Sequence, residues 1–200
     1  MHVTDFRTEK DIGRRIKALR RQRGLLTARD LADAIPLDAL SESVIQNIEA
    51  GRKAELSVSQ LLNIAAALRV PPIVLLAPIG LPLHGPDVPN LSSDIAEMTT
   101  VEFDAWLSGA SDGAYRWKTK DERAERGELQ AMRELQTQLQ ERARLRSILE
   151  IENEDPLTET QLNEQAWEST SERITNVQRR IDQLQTYLTS AGWELDGWAA

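Results

Sequence analysis

The chain of 200 residues has no cysteine and only two histidines. The absence of cysteine excludes a disulfide framework, a thiolate nucleophile and a cysteine-based zinc site. His2 and His84 are isolated in the sequence, and we interpret them as exposed side chains rather than metal ligands. We therefore expect no metal and no other cofactor.

Long apolar runs are also absent. No stretch approaches the roughly 20 apolar residues of a membrane-spanning helix, and the first residues, MHVTDFRTEKDIGRR, lack the pattern of a signal peptide. Cysteine-free chains occur in every compartment, so this feature does not fix the location. We expect a cytoplasmic protein with no membrane partner.

Catalytic motifs are missing as well. The sequence contains no HExxH zinc site, no glycine-rich phosphate loop and no Cys/His cluster. The many carboxylates of the C-terminal half alternate with basic residues, a pattern typical of a solvated helix face. We therefore expect that the protein is not an enzyme.

The net charge of −8 is unevenly distributed along the chain. Residues 1–80 hold 12 Lys and Arg against 9 Asp and Glu, a net charge of +3, whereas residues 81–200 hold 12 against 23, a net charge of −11. Such asymmetry between two halves is informative about partners. The N-terminal part can face phosphate groups, and the C-terminal part cannot.

Apolar residues recur with helical spacing, and no stretch has the alternation of a strand. Five S/T-x-x-D/E/Q patterns precede such segments and resemble capping boxes, in which two side chains bond the free backbone N–H groups at a helix start. They are Thr8/Asp11, Thr27/Asp30, Ser57/Gln60, Thr99/Glu102 and Thr158/Gln161. We predict an all-α protein.

The N-terminal part is predicted to fold as five short helices around one core. Their predicted ranges are 9–23, 28–35, 41–50, 58–68 and a last one from Pro71 or Pro72 to Leu76. Gly24 and Gly51 stand where helices are expected to stop, and Pro36 ends the second helix. We place this domain at residues 1–78.

Residues 77–98, APIGLPLHGPDVPNLSSDIAEM, hold four prolines and two glycines. This composition is typical of a loop, and we predict a linker at 79–98 followed by a helical C-terminal domain at 99–200. Within that domain, a short helix at 100–108 is expected to bury Phe103, Trp106 and Leu107, with Tyr115 and Trp117 packing against it.

Two long helices are predicted at 120–152 and 159–190, joined by the turn NEDPL. The second carries an apolar stripe in alternating steps of three and four, the heptad seam of a coiled coil. Its positions are Trp167, Thr170, Ile174, Val177, Ile181, Leu184 and Leu188. The simplest arrangement is an antiparallel hairpin. The stripe fits the seam of that hairpin and also a dimer interface, and both interpretations stay open.

The stretch SESVIQNIEAG, residues 41–51, stands between GLLTARDLADAI and LSVSQLLNIAAALRVPPIVLL. In this order, over residues 9–78, the segments resemble the Cro and lambda-repressor type of helix-turn-helix, the XRE family. The most specific pieces are Leu31-Ala32, the string Ile45-x-x-Ile48-Glu49-x-Gly51 and the run from Leu61 to Val70. The resemblance implies a five-helix lambda-repressor-like domain whose 41–50 helix enters the major groove.

The resemblance also implies roles for individual residues. The outward positions of the 41–50 helix are the candidate base readers: Glu42, Ser43, Gln46 and Asn47. The candidate phosphate contacts are Arg52, Lys53, Arg29, Thr27 and Arg14, with Arg15 and Lys17 as further candidates. Arg20 and Glu49 are expected to form a structural ion pair.

Two features depart from the family's pattern. Ala28 stands where the family usually carries a Gln that contacts phosphate, so that contact is either missing or supplied by Arg29. The turn PLDAL between the second and third helices is about three residues longer than the usual form.

The sequence therefore predicts a sequence-specific DNA-binding transcriptional regulator, a repressor of the phage-immunity or bacterial XRE type. Its expected partners are double-stranded operator DNA and a second copy bound through the C-terminal helices. The alternative is an antitoxin or adaptor whose helical tail binds a partner protein and whose DNA-binding head autoregulates.

Overall fold

The computed structural model describes residues 5–35, 40–53, 55–111, 113–154 and 168–198. Every regular element in these ranges is a helix, which confirms the predicted all-α class. The chain divides into two compact units, the first formed by residues 1–108 and 112–116 and the second by residues 109–111 and 117–200. None of the described helices has the length and apolar character needed to cross a membrane.

The first unit begins with five helices that enclose one core. They are α1 (Ile12–Gln22), α2 (Ala28–Asp33), α3 (Glu42–Glu49), α4 (Val58–Leu68) and α5 (Ile73–Leu76). Among the fully buried side chains of this core are Ile16, Leu19, Leu31, Ile45, Ile64, Leu68 and Leu75. These residues lie at the helical spacings that predicted the helices, and the predicted bounds of α4 are confirmed at both ends.

The start of α1 differs from the prediction. Asp11 is itself the N-cap and accepts a hydrogen bond from the backbone N–H of Arg14. The Thr8 hydroxyl instead donates to the Asp5 carbonyl, so the predicted Thr8/Asp11 capping box was wrong. A carboxylate bonds a free N–H group as well as a hydroxyl does, and the helix therefore starts one turn later.

Reciprocal capping boxes are present at three of the predicted positions, namely Thr27/Asp30, Ser57/Gln60 and Thr99/Glu102. The predicted Thr158/Gln161 pair lies outside the described residues. Two further boxes, Thr119/Glu122 and Ser169/Glu172, were not predicted.

Residues 79–98, expected as a linker, are part of the first unit. The Asp87 carboxylate bonds the fully buried Arg15 guanidinium, and the Asp87 N–H donates to the Leu76 carbonyl. The Gly80 N–H donates to the Arg7 carbonyl at 2.8 Å. Proline and glycine thus allow the segment to fold back, and side-chain and backbone bonds hold it there.

Two more helices, α6 (Ser93–Ala96) and α7 (Thr100–Ser108), complete the first unit. Phe103 is buried with Ala77 and Met98, and Trp106 and Tyr115 pack against this cluster. Leu107 stays exposed, contrary to the prediction. Trp117 belongs to the second unit, where the Arg126 guanidinium lies over its ring.

The second unit is a helical hairpin of α8 (Lys120–Glu154) and α9 (Thr170–Ser190). The helices are antiparallel, because Glu134 pairs with Arg180, and Glu152, further along α8, accepts a bond from Thr170 at the start of α9. The core of the hairpin is formed by Ala131, Leu135, Ile181, Leu184 and Leu188.

The last helix starts later than predicted. Ser169 caps it and α9 begins at Thr170, whereas the sequence predicted a start at 159. The seam position Trp167 lies outside the described residues.

Candidate nucleic-acid interface

Helix α3 has one buried face and one polar, exposed face. Ile45 and Ile48 point into the core. The four predicted base readers, Glu42, Ser43, Gln46 and Asn47, are all exposed. Since positions i, i+1, i+4 and i+5 share one side of a helix, the four side chains form a single polar strip.

Gly13 sets the approach of α1 to α3. A Cβ at this position would overlap the backbone carbonyl oxygen of Ile48. Backbone atoms of α3 cannot move aside without displacing the whole helix, so the contact requires glycine. This close approach fixes the position of α3 on the domain.

Arg20 and Glu49 form the predicted pairing between α1 and α3. The Arg20 Nε and Nη2 atoms donate to the two Glu49 carboxylate oxygens at 2.6 and 2.8 Å, a bidentate arrangement. The Arg20 Nη1 atom also donates to the Leu25 carbonyl in the turn before α2. The hydrogen bonds that Arg20 donates to Glu49 raise the pKa of Arg20 despite its burial. One guanidinium thus ties α3 to α1 and to the following turn.

The end of α3 is a Schellman motif, a helix stop closed by two backbone bonds. The Arg52 N–H donates to the Asn47 carbonyl at 2.9 Å, and the Gly51 N–H donates to the Ile48 carbonyl at 3.0 Å. Gly51 has a φ of +66°, which favours glycine. The motif holds the exposed Arg52 and Lys53 next to the polar strip of α3.

Within the strip, the Gln46 amide donates to the Glu42 carboxylate at 2.9 Å. The hydroxyls of Ser41 and Ser43 lie 3.0 Å apart. These bonds lie at the surface, where exchange for other partners costs little. The Gln46 carbonyl remains free to accept, and the Asn47 side chain has no bond to another described residue.

Thr27 and Arg29 lie at the start of α2. The Thr27 hydroxyl accepts from the Asp30 N–H, which leaves its own proton available to a phosphate oxygen. The bonds from Thr27 lower the pKa of Asp30. Arg29 is exposed, 3.7 Å from Asp33. Both predicted phosphate residues are therefore accessible.

The predicted phosphate contacts on α1 differ in their exposure to solvent. Arg14 and Lys17 are exposed. Arg15 is fully buried and donates to the Leu75 carbonyl, the Glu9 carbonyl and Asp87, so its assignment as a phosphate contact was wrong. Arg15 lies three residues after Ile12 and four before Leu19, on the apolar stripe of α1. This spacing is a signal that would have predicted its burial.

The predicted seam residues lie in the second unit, away from the nucleic-acid candidates along the chain. Ile181, Leu184 and Leu188 are buried against α8, while Ile174 and Val177 are partly buried. Ile181, Leu184 and Leu188, with Val177 packed against them, form the seam of the hairpin within one chain.

A family model described as a helix-turn-helix domain matches residues 11–77. The match starts at the N-cap of α1 and ends just after α5, so it spans the five helices that position the polar strip. Neither the search of curated proteins nor the search of solved structures found a match. The N-terminal region is therefore a helix-turn-helix domain, an architecture that implies binding to DNA.

Proposed function

We propose, from the helix-turn-helix match, that this protein is a sequence-specific transcriptional repressor of the XRE type, acting in the cytoplasm without catalytic activity. The observation that carries the proposal is the exposed polar strip of α3, held rigidly by Gly13 and Arg20 and flanked by Arg52 and Lys53. A helix of this kind fits the major groove, with its polar side chains on base edges.

The residues of the strip match the chemistry of base edges. Gln46 and Asn47 present amides that can pair with adenine N6 and N7, and Glu42 can accept from cytosine N4. Glu42 lies in the first turn of α3, and its bond to Gln46 orients the two side chains together. We propose that they read adjacent base pairs as a unit.

The flanking residues supply affinity rather than sequence selection. Arg52, Lys53, Arg29, Arg14 and the Thr27 hydroxyl are proposed to contact phosphates. Each phosphate neutralised by a cation releases counterions, so binding weakens as salt rises.

The test is selection of binding sites from a random duplex library, followed by affinity measurements across salt concentrations. Asn47→Ala is expected to lower discrimination at one position of the enriched site by about 1–3 kcal/mol. Arg52→Ala is expected to weaken binding to all sequences and to reduce the salt slope by about one.

Gln22→Ala, an exposed amide at the end of α1, is the matched control and should leave discrimination unchanged. A chain that enriches no site, or an Asn47→Ala variant with the same site preference as the parent, contradicts the proposal.

The second unit supports an additional role in joining subunits. It has its own core and an acidic surface, and the phosphate groups of DNA repel such a surface. We propose that it joins two copies through the C-terminal helices.

The same acidic hairpin also supports the second candidate, an antitoxin or adaptor whose hairpin binds a partner protein. Weak, salt-sensitive DNA binding with no enriched site would favour this candidate.

A further inference from the structure

Helix α4 carries an apolar stripe that the first unit leaves exposed. Val58 is 73% exposed and Leu62 is 48% exposed. Ala66, one further turn along, is exposed as well. Positions i, i+4 and i+8 follow one side of a helix, and the opposite side of α4 buries Ile64, Ala65 and Leu68. The three exposed side chains therefore form a continuous strip about two turns long.

Opposite charges lie at the two ends of this strip. Glu55 precedes the N-cap of α4, and Arg69 follows its last residue. Both side chains are exposed, and neither has an ion pair with another described residue. Each is seven positions from Leu62 in the sequence, so a two-fold axis at Leu62 brings the Glu55 end of one helix to the Arg69 end of the other.

The apolar strip of α4 and the charges at its ends are complementary to the same surface on a second copy of the chain. If α4 of a second copy packs antiparallel across a two-fold axis at Leu62, the two Leu62 side chains face each other. Val58 then meets Ala66 of the second chain, and the small alanine allows a close approach. Glu55 of each chain meets Arg69 of the other at both ends. A two-fold interface uses the same patch on both subunits, and this strip meets that condition.

We propose that the α4 strip is a contact surface for a second copy of this chain. Three apolar side chains cover far less than the roughly 800 Å² per partner of a standard interface, so the contact is weak. The proposal goes beyond the proposed function, because it assigns an interface within the DNA-binding unit rather than in the hairpin.

The absence of cysteine gives a direct test on the full chain. Leu62→Cys introduces the only thiol, and the two-fold axis places the two thiols opposite each other. We expect a short bifunctional maleimide to join two Leu62→Cys chains at least about tenfold faster than two Gln22→Cys chains, because the strip raises the effective concentration of the thiols. Equal rates for the two variants would overturn the proposal.

Charge reversal gives an independent check in the Leu62→Cys background. Glu55→Arg alone and Arg69→Glu alone should each slow cross-linking, since like charges then meet at both ends. An equal mixture of the two variants should restore it, because only the mixed pair has opposite charges at both contacts. A mixture that cross-links no faster than either variant alone would overturn the antiparallel register.

The test separates this proposal from the proposed function. Neither Glu55 nor Arg69 is assigned to DNA, so both reversal variants should still select the same half-site from a duplex library. Cross-linking at Leu62 without site selection would support the interface and contradict the repressor. Site selection without cross-linking at Leu62 would support the repressor and contradict the interface.

Discussion

Arg20 connects three parts of the first unit through one side chain. It lies on α1, bonds Glu49 on α3 with two nitrogens and bonds the Leu25 carbonyl with the third. Both charged side chains are almost completely buried. Removing one partner of such a pair leaves the other charge unpaired in a place that water does not reach.

Glu49→Ala is therefore expected to destabilise the first unit by about 3–5 kcal/mol. The double variant Arg20→Met/Glu49→Met should lose less than Glu49→Ala, because no buried charge is left. Denaturant unfolding followed by circular dichroism measures both. A double variant less stable than the single one would show that the pair itself, and not the stranded charge, accounts for the loss.

At the scale of helices, the sequence predicts most of the elements and the polar strip of α3, because apolar spacing and capping residues are local signals. It does not predict the return of residues 79–98 onto α1, since the partner of Asp87 is 72 positions away. The requirement for glycine at position 13 cannot be read from the sequence for the same reason, because the Ile48 carbonyl that a side chain would overlap is also distant in the chain. No local pattern distinguishes a glycine that a neighbouring helix requires from one that only weakens its own helix.

Gly13 and Gly127 form a matched pair for this distinction. Both lie inside helices, where Gly→Ala normally stabilises by about 1 kcal/mol. A Cβ at Gly127 would lie at ordinary contact distance, 3.4 Å from the Tyr187 hydroxyl, whereas a Cβ at Gly13 would overlap the Ile48 carbonyl. We expect Gly127→Ala to raise the stability of the hairpin and Gly13→Ala to lower that of the first unit.

Hydrogen exchange, followed separately for the amides of the first unit and of the hairpin, shows which unit each substitution stabilises or destabilises. Gly13→Ala should also weaken DNA binding, since α3 must shift to accommodate the methyl group. Stabilisation by both substitutions would contradict the close packing of α1 on α3.

Across the whole molecule, carboxylates at helix starts share one electrostatic property. Bonds from the capping residues lower the pKa values of Asp30, Glu102, Glu122 and Glu172. In the hairpin, the bond to Arg180 lowers the pKa of Glu134. A carboxylate with a lowered folded pKa stabilises the folded state fully above its ordinary pKa. That contribution is lost as the pH falls through the folded value.

Both units are therefore expected to hold their stability at neutral pH and to lose it below about pH 4, near the ordinary pKa of Asp and Glu. Glu172→Gln and Glu134→Gln should each reduce the loss of hairpin stability that accompanies acidification. Unfolding midpoints measured from pH 7 to pH 3 give the comparison. A stability that rises on acidification would contradict the assignment.

The buried contact of Arg15 with Asp87 also determines how short an autonomous piece of this protein can be. The helix-turn-helix match ends at residue 77, yet the counterion of a fully buried guanidinium comes ten positions later. A fragment of residues 1–78 should therefore melt at a lower temperature than a fragment of residues 1–108, and Arg15→Met should narrow the difference. The family match ends at residue 77, whereas the compact unit that contains it continues to residue 108.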